Sequence, residues 1–214
     1  AVVPAIAQSC NVFFSTLSAG MSDEALDDFA RFFGFGERTG GILSSEESSG
    51  IAFSPGWVAE HRSGDRAWHT GDAANAGIGL GGWVVTPMQM ALAMGFALTG
   101  KLFSPQFLRG EEAVVRRTHD WTPVAQRTVL AGMRQCVLQG TGRSLDTPEL
   151  SILGKTGTAE VGKHQRPHAW MVAAAPAEEP RFVVVVVVEH GGGGGRVAGP
   201  IARDILLSLA RELD

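Results

Sequence analysis

Lysine is scarce in this chain. Lys101, Lys155 and Lys163 are the only three among 214 residues, and no serine precedes any of them by three positions. That absence excludes the one-turn Ser-x-x-Lys pairing in which a lysine activates a serine nucleophile. Cysteine is scarcer still. Cys10 and Cys136 make neither a disulfide framework nor a metal-binding spacing with the six histidines, and both are assigned to packing. No apolar run approaches the roughly 18 residues of a membrane span, and the first residues carry neither the charged start nor the cleavage site of a secretory signal. Basic runs are missing too: 18 basic residues against 22 acidic ones leave a net charge of -4, which argues against nucleic acid as a partner. No Gly-Lys-Ser/Thr follows the glycines from Gly191 to Gly195, so they read as a flexible turn beside a cleft and not as a phosphate loop. His164 and His168 flank Pro167 without a third ligand at a useful spacing, which gives them a hydrogen-bonding or surface role. Neither a metal nor a cofactor is expected.

What the chain does have is apolar content, 44% of its residues, enough to enclose one good-sized core. Pro4 suits an early helical position, and Ile6, Cys10, Phe13, Phe14 and Leu17 follow at spacings of three and four. Pro4 to Leu17 is therefore expected to be helical, with a break near Ser9. Ser22 caps a second helix, with Asp23 and Glu24 in its first turn and Gly34 as its stop. The Gly- and Ser-rich segment from Gly34 to Gly82 reads as a long ordered excursion with little regular structure, serving a surface or cleft. Thr86-Pro87 and Thr122-Pro123 each pair a capping hydroxyl with a first-turn proline, ahead of helices over Met88 to Leu98 and Val124 to Leu138 that end at Gly100 and Gly140.

Three strand candidates follow, Ser151 to Val161, His168 to Ala175 and Arg181 to Glu189, with short connections that favour antiparallel pairing. Val197 to Leu213 is a final amphipathic helix. Six consecutive valines, Val183 to Val188, predict a strand buried on both faces and lying inside a sheet. With only two other strands nearby, one of its long edges is left open, and a neighbouring strand is expected to be missing. Trp170 reads as a core anchor before a stacking platform, with substrate contact left open by its place beside the motif strand. The fold class is α/β, layered as α+β.

Two short polar stretches carry chemistry. Acyl transfer from a peptide with a free carboxylate needs a positive charge, hydroxyl donors for that carboxylate and an N–H aimed at the developing oxyanion. Lys155-Thr156-Gly157-Thr158 supplies all three on a strand-like run, and Gly157, having no side chain, lets a substrate backbone approach the strand. Alternation places Lys155 and Gly157 on one face and Thr156 and Thr158 on the other, so a twist or a neighbouring helix decides which reach the cleft. Read alone, the stretch is equally an edge-strand lysine beside a turn-like Thr-Gly, and Ser9-Cys10-Asn11 is more often a pair of helix-end caps than a catalytic pair.

The order of longer segments adds a family. Ala5-Ile-Ala-Gln-Ser-Cys-Asn-Val-Phe-Phe14, Gly34-Phe-Gly-Glu-Arg-Thr-Gly40, Gly71-Asp-Ala-Ala-Asn75, Ile78-Gly-Leu-Gly81 and Thr86-Pro-Met-Gln89 come first. Gly154-Lys-Thr-Gly-Thr-Ala-Glu160, Pro167-His-Ala-Trp170 and Gly199-Pro200-Ile201-Ala202 complete the series. Together they resemble the transpeptidase domain of class B penicillin-binding proteins of the elongation type. The resemblance implies the fold of the penicillin-binding protein and serine β-lactamase group, an antiparallel sheet with covering helices plus a helical subdomain, here with its N-terminal strands missing. Residues 1–214 would form a partial domain, 1–150 being the mostly helical part and 151–214 the strand meander with its last helix.

The roles that come with the resemblance are specific. Ser9 would relay a proton to or from an amine, and Asn11 would hold a base lysine and a substrate carbonyl. Lys155 would set the electrostatics of the pocket. Thr156 and Thr158 would hold the terminal carboxylate of a D-Ala-D-Ala stem peptide, with Gly157 between them and the Thr158 N–H as half of the oxyanion hole. Partners implied are peptidoglycan stem peptide, β-lactams, a glycosyltransferase and the cell-elongation machinery, at the outer face of the bacterial cytoplasmic membrane through an N-terminal anchor absent from this chain. In the family, Ser-x-x-Lys lies upstream of the Ser-x-Asn triplet, so this chain is expected to be the C-terminal part of the domain and inactive by itself. The alternative is a non-catalytic scaffold that binds stem peptide or cell-wall partners. A carboxypeptidase or β-lactamase of the same fold ranks lower, since no deacylating glutamate is identified.

Overall fold

The computed structural model describes residues 1–41, 45–162 and 164–212. Lys163, and Leu213 at the end of the expected last helix, lie outside them. In chain order the helices and strands are α1 (Val2–Ala7), α2 (Asn11–Ala19), α3 (Asp23–Phe32), α4 (Pro55–His61), α5 (Thr70–Ala76), α6 (Pro87–Thr99), β1 (Lys101–Phe103), β2 (Val115–Thr118), α7 (Pro123–Gln139), β3 (Leu153–Ala159), β4 (His168–Ala175), β5 (Phe182–Val188) and α8 (Gly194–Arg211). A 3-10 turn covers Arg143–Leu145. The chain divides into two compact units, one of residues 1–10 and 120–214 and one of residues 11–119.

The first unit is a three-stranded antiparallel sheet in the order β3-β4-β5 with helices against it. Small residues on β4 let α8 lie close. Ala169, Met171, Ala173 and Ala175 are fully buried and share a cluster with Ala198, Ala202 and Leu206 of α8, Val137 of α7, Leu145 and Ile152. Register pairs Gly154 with Ala173, Thr156 with Met171 and Thr158 with Ala169, so those three β3 residues lie on the α8 face of the sheet. The short α1 has too few turns to stand alone. It is held against α7, where a side chain at Gly132 would meet Ile6 at 2.7 Å and one at Gly140 would meet the Ala7 carbonyl at 2.0 Å.

The valine strand departs from expectation. Among the described residues β5 has β4 as its single neighbour, and Val184 is its only buried valine. Its outer edge is therefore free, as expected, but the strand is not buried on both faces. A strand with one partner keeps one flank of its side chains open to solvent. Helix α8 begins three residues earlier than predicted, within the glycine run, and Trp170 is half-buried.

The second unit is mainly helical. Ser22 Oγ accepts from the Ala25 N–H at 3.2 Å to cap α3. The twin Thr-Pro starts are formed as predicted: Thr86 Oγ1 accepts from the Gln89 N–H at 3.1 Å ahead of α6, and Thr122 Oγ1 from the Ala125 N–H at 3.3 Å ahead of α7 in the first unit. The segment from Gly34 to Gly82 holds more regular structure than its composition predicts, because α4 and α5 lie within it. Each is only seven residues long, too short to show a helical period. Buried Gln89 fixes this excursion by donating from Nε2 to the carbonyls of Glu37 and Ser49 at 2.9 and 2.8 Å. The β1-β2 pair was not predicted either, since three- and four-residue strands carry almost no alternation.

Candidate active site

One residue from each polar stretch meets the other within the first unit. Lys155 Nζ donates to Ser9 Oγ at 2.8 Å, across 146 residues of chain, and to the Thr156 carbonyl at 2.9 Å. Burial pushes the Lys155 ammonium below the ordinary lysine range, and its electrostatic interaction with Cys136 opposes that shift. A lysine so placed holds its proton less firmly and sits against a hydroxyl that can carry one.

Ser9 reaches this position through an unusual helix ending. The Cys10 N–H bonds the Ala5 carbonyl at 2.9 Å and the Ser9 N–H bonds the Ile6 carbonyl at 3.2 Å, the paired closure of a Schellman motif at the end of α1. Ser9 itself is left-handed, with φ of 53°, in the place where glycine is the usual occupant. A serine there costs on the order of 1 kcal/mol in backbone strain. The break predicted near Ser9 is this turn, and its strain aims a hydroxyl at Lys155.

Of the remaining predicted residues, Thr156 and Thr158 point to the α8 side. Thr156 Oγ1 lies 2.6 Å from Thr141 Oγ1, and Thr158 Oγ1 accepts from the Gly194 N–H at 3.4 Å. Gly157 meets the start of α8 closely: a Cβ at Gly194 would sit 2.2 Å from the Trp170 carbonyl and 2.3 Å from that of Gly157. Gly194, the last but one of the glycine run, thus seats the first turn of α8 on β3, while Gly191 to Gly193 connect to it outside any helix or strand. Asn11 is exposed at the first position of α2, in the unit of residues 11–119.

Some assignments change. Cys136 is fully buried, as expected, but Cys10 is exposed, because the turn after α1 carries it off the apolar face. His168 takes a hydrogen-bonding role, its Nδ1 accepting from the His190 N–H at 2.9 Å, and its ring lies 4.8 Å from that of His190. No cluster of three metal-ligating side chains occurs among the described residues, and no helix among them is long and apolar enough to cross a membrane. Sequence reasoning missed Thr141. Its one visible sign is the Gly140-Thr141-Gly142 setting, where flanking glycines allow neighbouring chain to approach.

The family described as penicillin binding protein transpeptidase domain matches residues 2–207. A peptidoglycan D,D-transpeptidase MrdA from Salmonella typhimurium is 31% identical over 235 residues, covering 96% of this chain and 37% of its own length. One from Acinetobacter baumannii is also 31% identical, over 208 residues, covering 82% of this chain and 30% of its own length. The chain therefore spans about a third of these curated relatives. Among solved structures, the Penicillin-Binding Protein (PBP2) from Helicobacter pylori superposes with a TM-score of 0.85 at 29% identity, over 97% of this chain and 39% of that one. The same protein in complex with MreC gives 0.84 at 30% identity, over 97% and 40%.

Proposed function

Because the chain belongs to the penicillin-binding protein transpeptidase family, we propose that it forms part of a peptidoglycan D,D-transpeptidase domain of the elongation type. The observation that carries this reading is the 2.8 Å bond from Lys155 Nζ to Ser9 Oγ. Ser9 accepts from Lys155 and keeps its own O–H, so a proton can pass through this pair to or from an amine. Asn11, two residues on, would hold a base lysine and a substrate carbonyl.

On the carboxylate side, Thr156 and Thr158 would grip the free end of the stem peptide, beside the positive charge of Lys155. Gly157 would leave room for the substrate backbone, and the Thr158 N–H would stabilise the oxyanion. The 214 residues contain no Ser-x-x-Lys. The nucleophilic serine and its base lysine are accordingly assigned to polypeptide outside them. That serine would attack the penultimate D-Ala carbonyl and expel D-Ala. An amine from a neighbouring peptide would then displace the serine oxygen to form the cross-link. The free edge of β5 is where the family's first strand would pair.

The same reading places the protein at the outer face of the cytoplasmic membrane. Stem peptide and β-lactams would be its ligands, and a glycosyltransferase and an MreC-like elongation protein its partners. Fluorescent penicillin tests it. The chain alone should stay unlabelled, and the chain joined to a segment bearing the Ser-x-x-Lys helix and the missing strands should label. If the joined form stays unlabelled while both forms bind stem peptide, the chain is a scaffold and not part of an enzyme.

A further inference from the structure

Thr141 stands at a junction that the catalytic roles above leave unused. It follows α7 directly, and its N–H bonds the Ala7 carbonyl at 3.2 Å, next to the turn that carries Ser9. A Cβ at Gly195 would lie 2.3 Å from the Thr141 carbonyl, so the first turn of α8 rests on it as well. Its hydroxyl sits in a three-member chain, 3.4 Å from the buried Cys136 Sγ and 2.6 Å from Thr156 Oγ1.

That chain has two possible directions. A hydroxyl owns one proton, so Thr156 cannot donate to Thr141 and to a substrate carboxylate at once. An ionised carboxylate only accepts. If Thr156 is to donate to it, Thr141 must donate to Thr156, and Thr141 must in turn accept from the Cys136 thiol. Every group then has a partner and no proton is used twice. In the opposite direction the Thr156 proton is taken up by Thr141, and a bound carboxylate would face only lone pairs.

Resting on the carboxylate-binding reading of Thr156, we infer that Thr141 is a positioning residue that fixes the direction of the Cys136-Thr141-Thr156 chain and so makes Thr156 a donor to the substrate's terminal carboxylate. It touches no reacting atom. Its effect is confined to ligands that carry the anion.

The test is binding by the 214-residue chain of an acylated peptide ending in D-Ala-D-Ala, beside the same peptide ending in a carboxamide. Thr141 is exposed, so Thr141→Val should fold. It should weaken the carboxylate peptide about fivefold, the size of one net hydrogen bond, and leave the carboxamide peptide unchanged. Thr141→Ser, which keeps the hydroxyl, should restore wild-type discrimination. Should Thr141→Val not fold, Thr141→Ala takes its place with the same expectation. Equal weakening of both peptides, or none, overturns the inference while leaving Thr156 as a carboxylate ligand. A wild-type chain that does not prefer the carboxylate over the carboxamide overturns the carboxylate-binding reading, and this inference with it.

Discussion

Ser9 is a residue whose backbone and side chain have opposing needs. Its φ of 53° favours glycine, yet its hydroxyl is held by Lys155. Replacing it separates the two. Ser9→Ala and Ser9→Gly both lose the hydroxyl, but only the glycine variant relieves the strain, so Ser9→Gly should exceed Ser9→Ala by about 1 kcal/mol. That is the reverse of the order of these residues in a helix interior. Urea midpoints of the two variants measure it, and equal stability would mean that the turn is unstrained. Lys155 makes a second prediction. Burial lowers its pKa from 10.5, so between the folded-state value and 10.5 the unfolded chain binds more protons and stability rises with pH. Below that window the penalty for burying the ammonium is fully present. The stability of wild type relative to Lys155→Met should therefore climb as pH approaches 10.5, and a difference independent of pH would contradict the shift.

Among the elements, the contact of α8 with β3 governs how the Lys-Thr-Gly-Thr wall is held. Gly194 has no room for a side chain, with carbonyl oxygens 2.2 and 2.3 Å from the position of a Cβ, whereas nothing lies within 4 Å of one at Gly193. Gly194→Ala should cost about 1–3 kcal/mol by forcing α8 off the strand, and Gly193→Ala should be near neutral. Thermal unfolding distinguishes them. Comparable losses at both positions would show that the run matters for flexibility and not for close packing. The sequence reading called these glycines a turn because a single chain shows loss of side chain but not what fills the space. It placed β3, β4 and β5 closely, since long apolar runs separated by short connections leave few alternatives. The short α4, α5, β1 and β2 escaped it for the opposite reason: their ends are set by caps and tertiary bonds, such as those of Gln89, and not by any period in the residues.

At the scale of the whole molecule, fold class and family were legible because the ordered segments extend over nearly all of the chain, and the match over residues 2–207 agrees with them. The Ser9-Lys155 pairing was legible only through that family order, because composition carries no record of two residues meeting across 146 positions. Thr141 was not legible, since a hydroxyl between glycines is common and only its 2.6 Å neighbour gives it meaning. Among the described residues the sheet has three strands, with β3 and β5 at its edges. On the proposed function, these residues bind the carboxylate and relay the proton, and the covalent bond forms on a serine elsewhere. Peptide mapping by tandem mass spectrometry after penicillin treatment, on the chain joined to its Ser-x-x-Lys segment, measures this directly. A penicilloyl group on the serine of that segment, with none on residues 1–214, is the predicted result. A penicilloyl group on Ser9, or on any other serine of this chain, would contradict it.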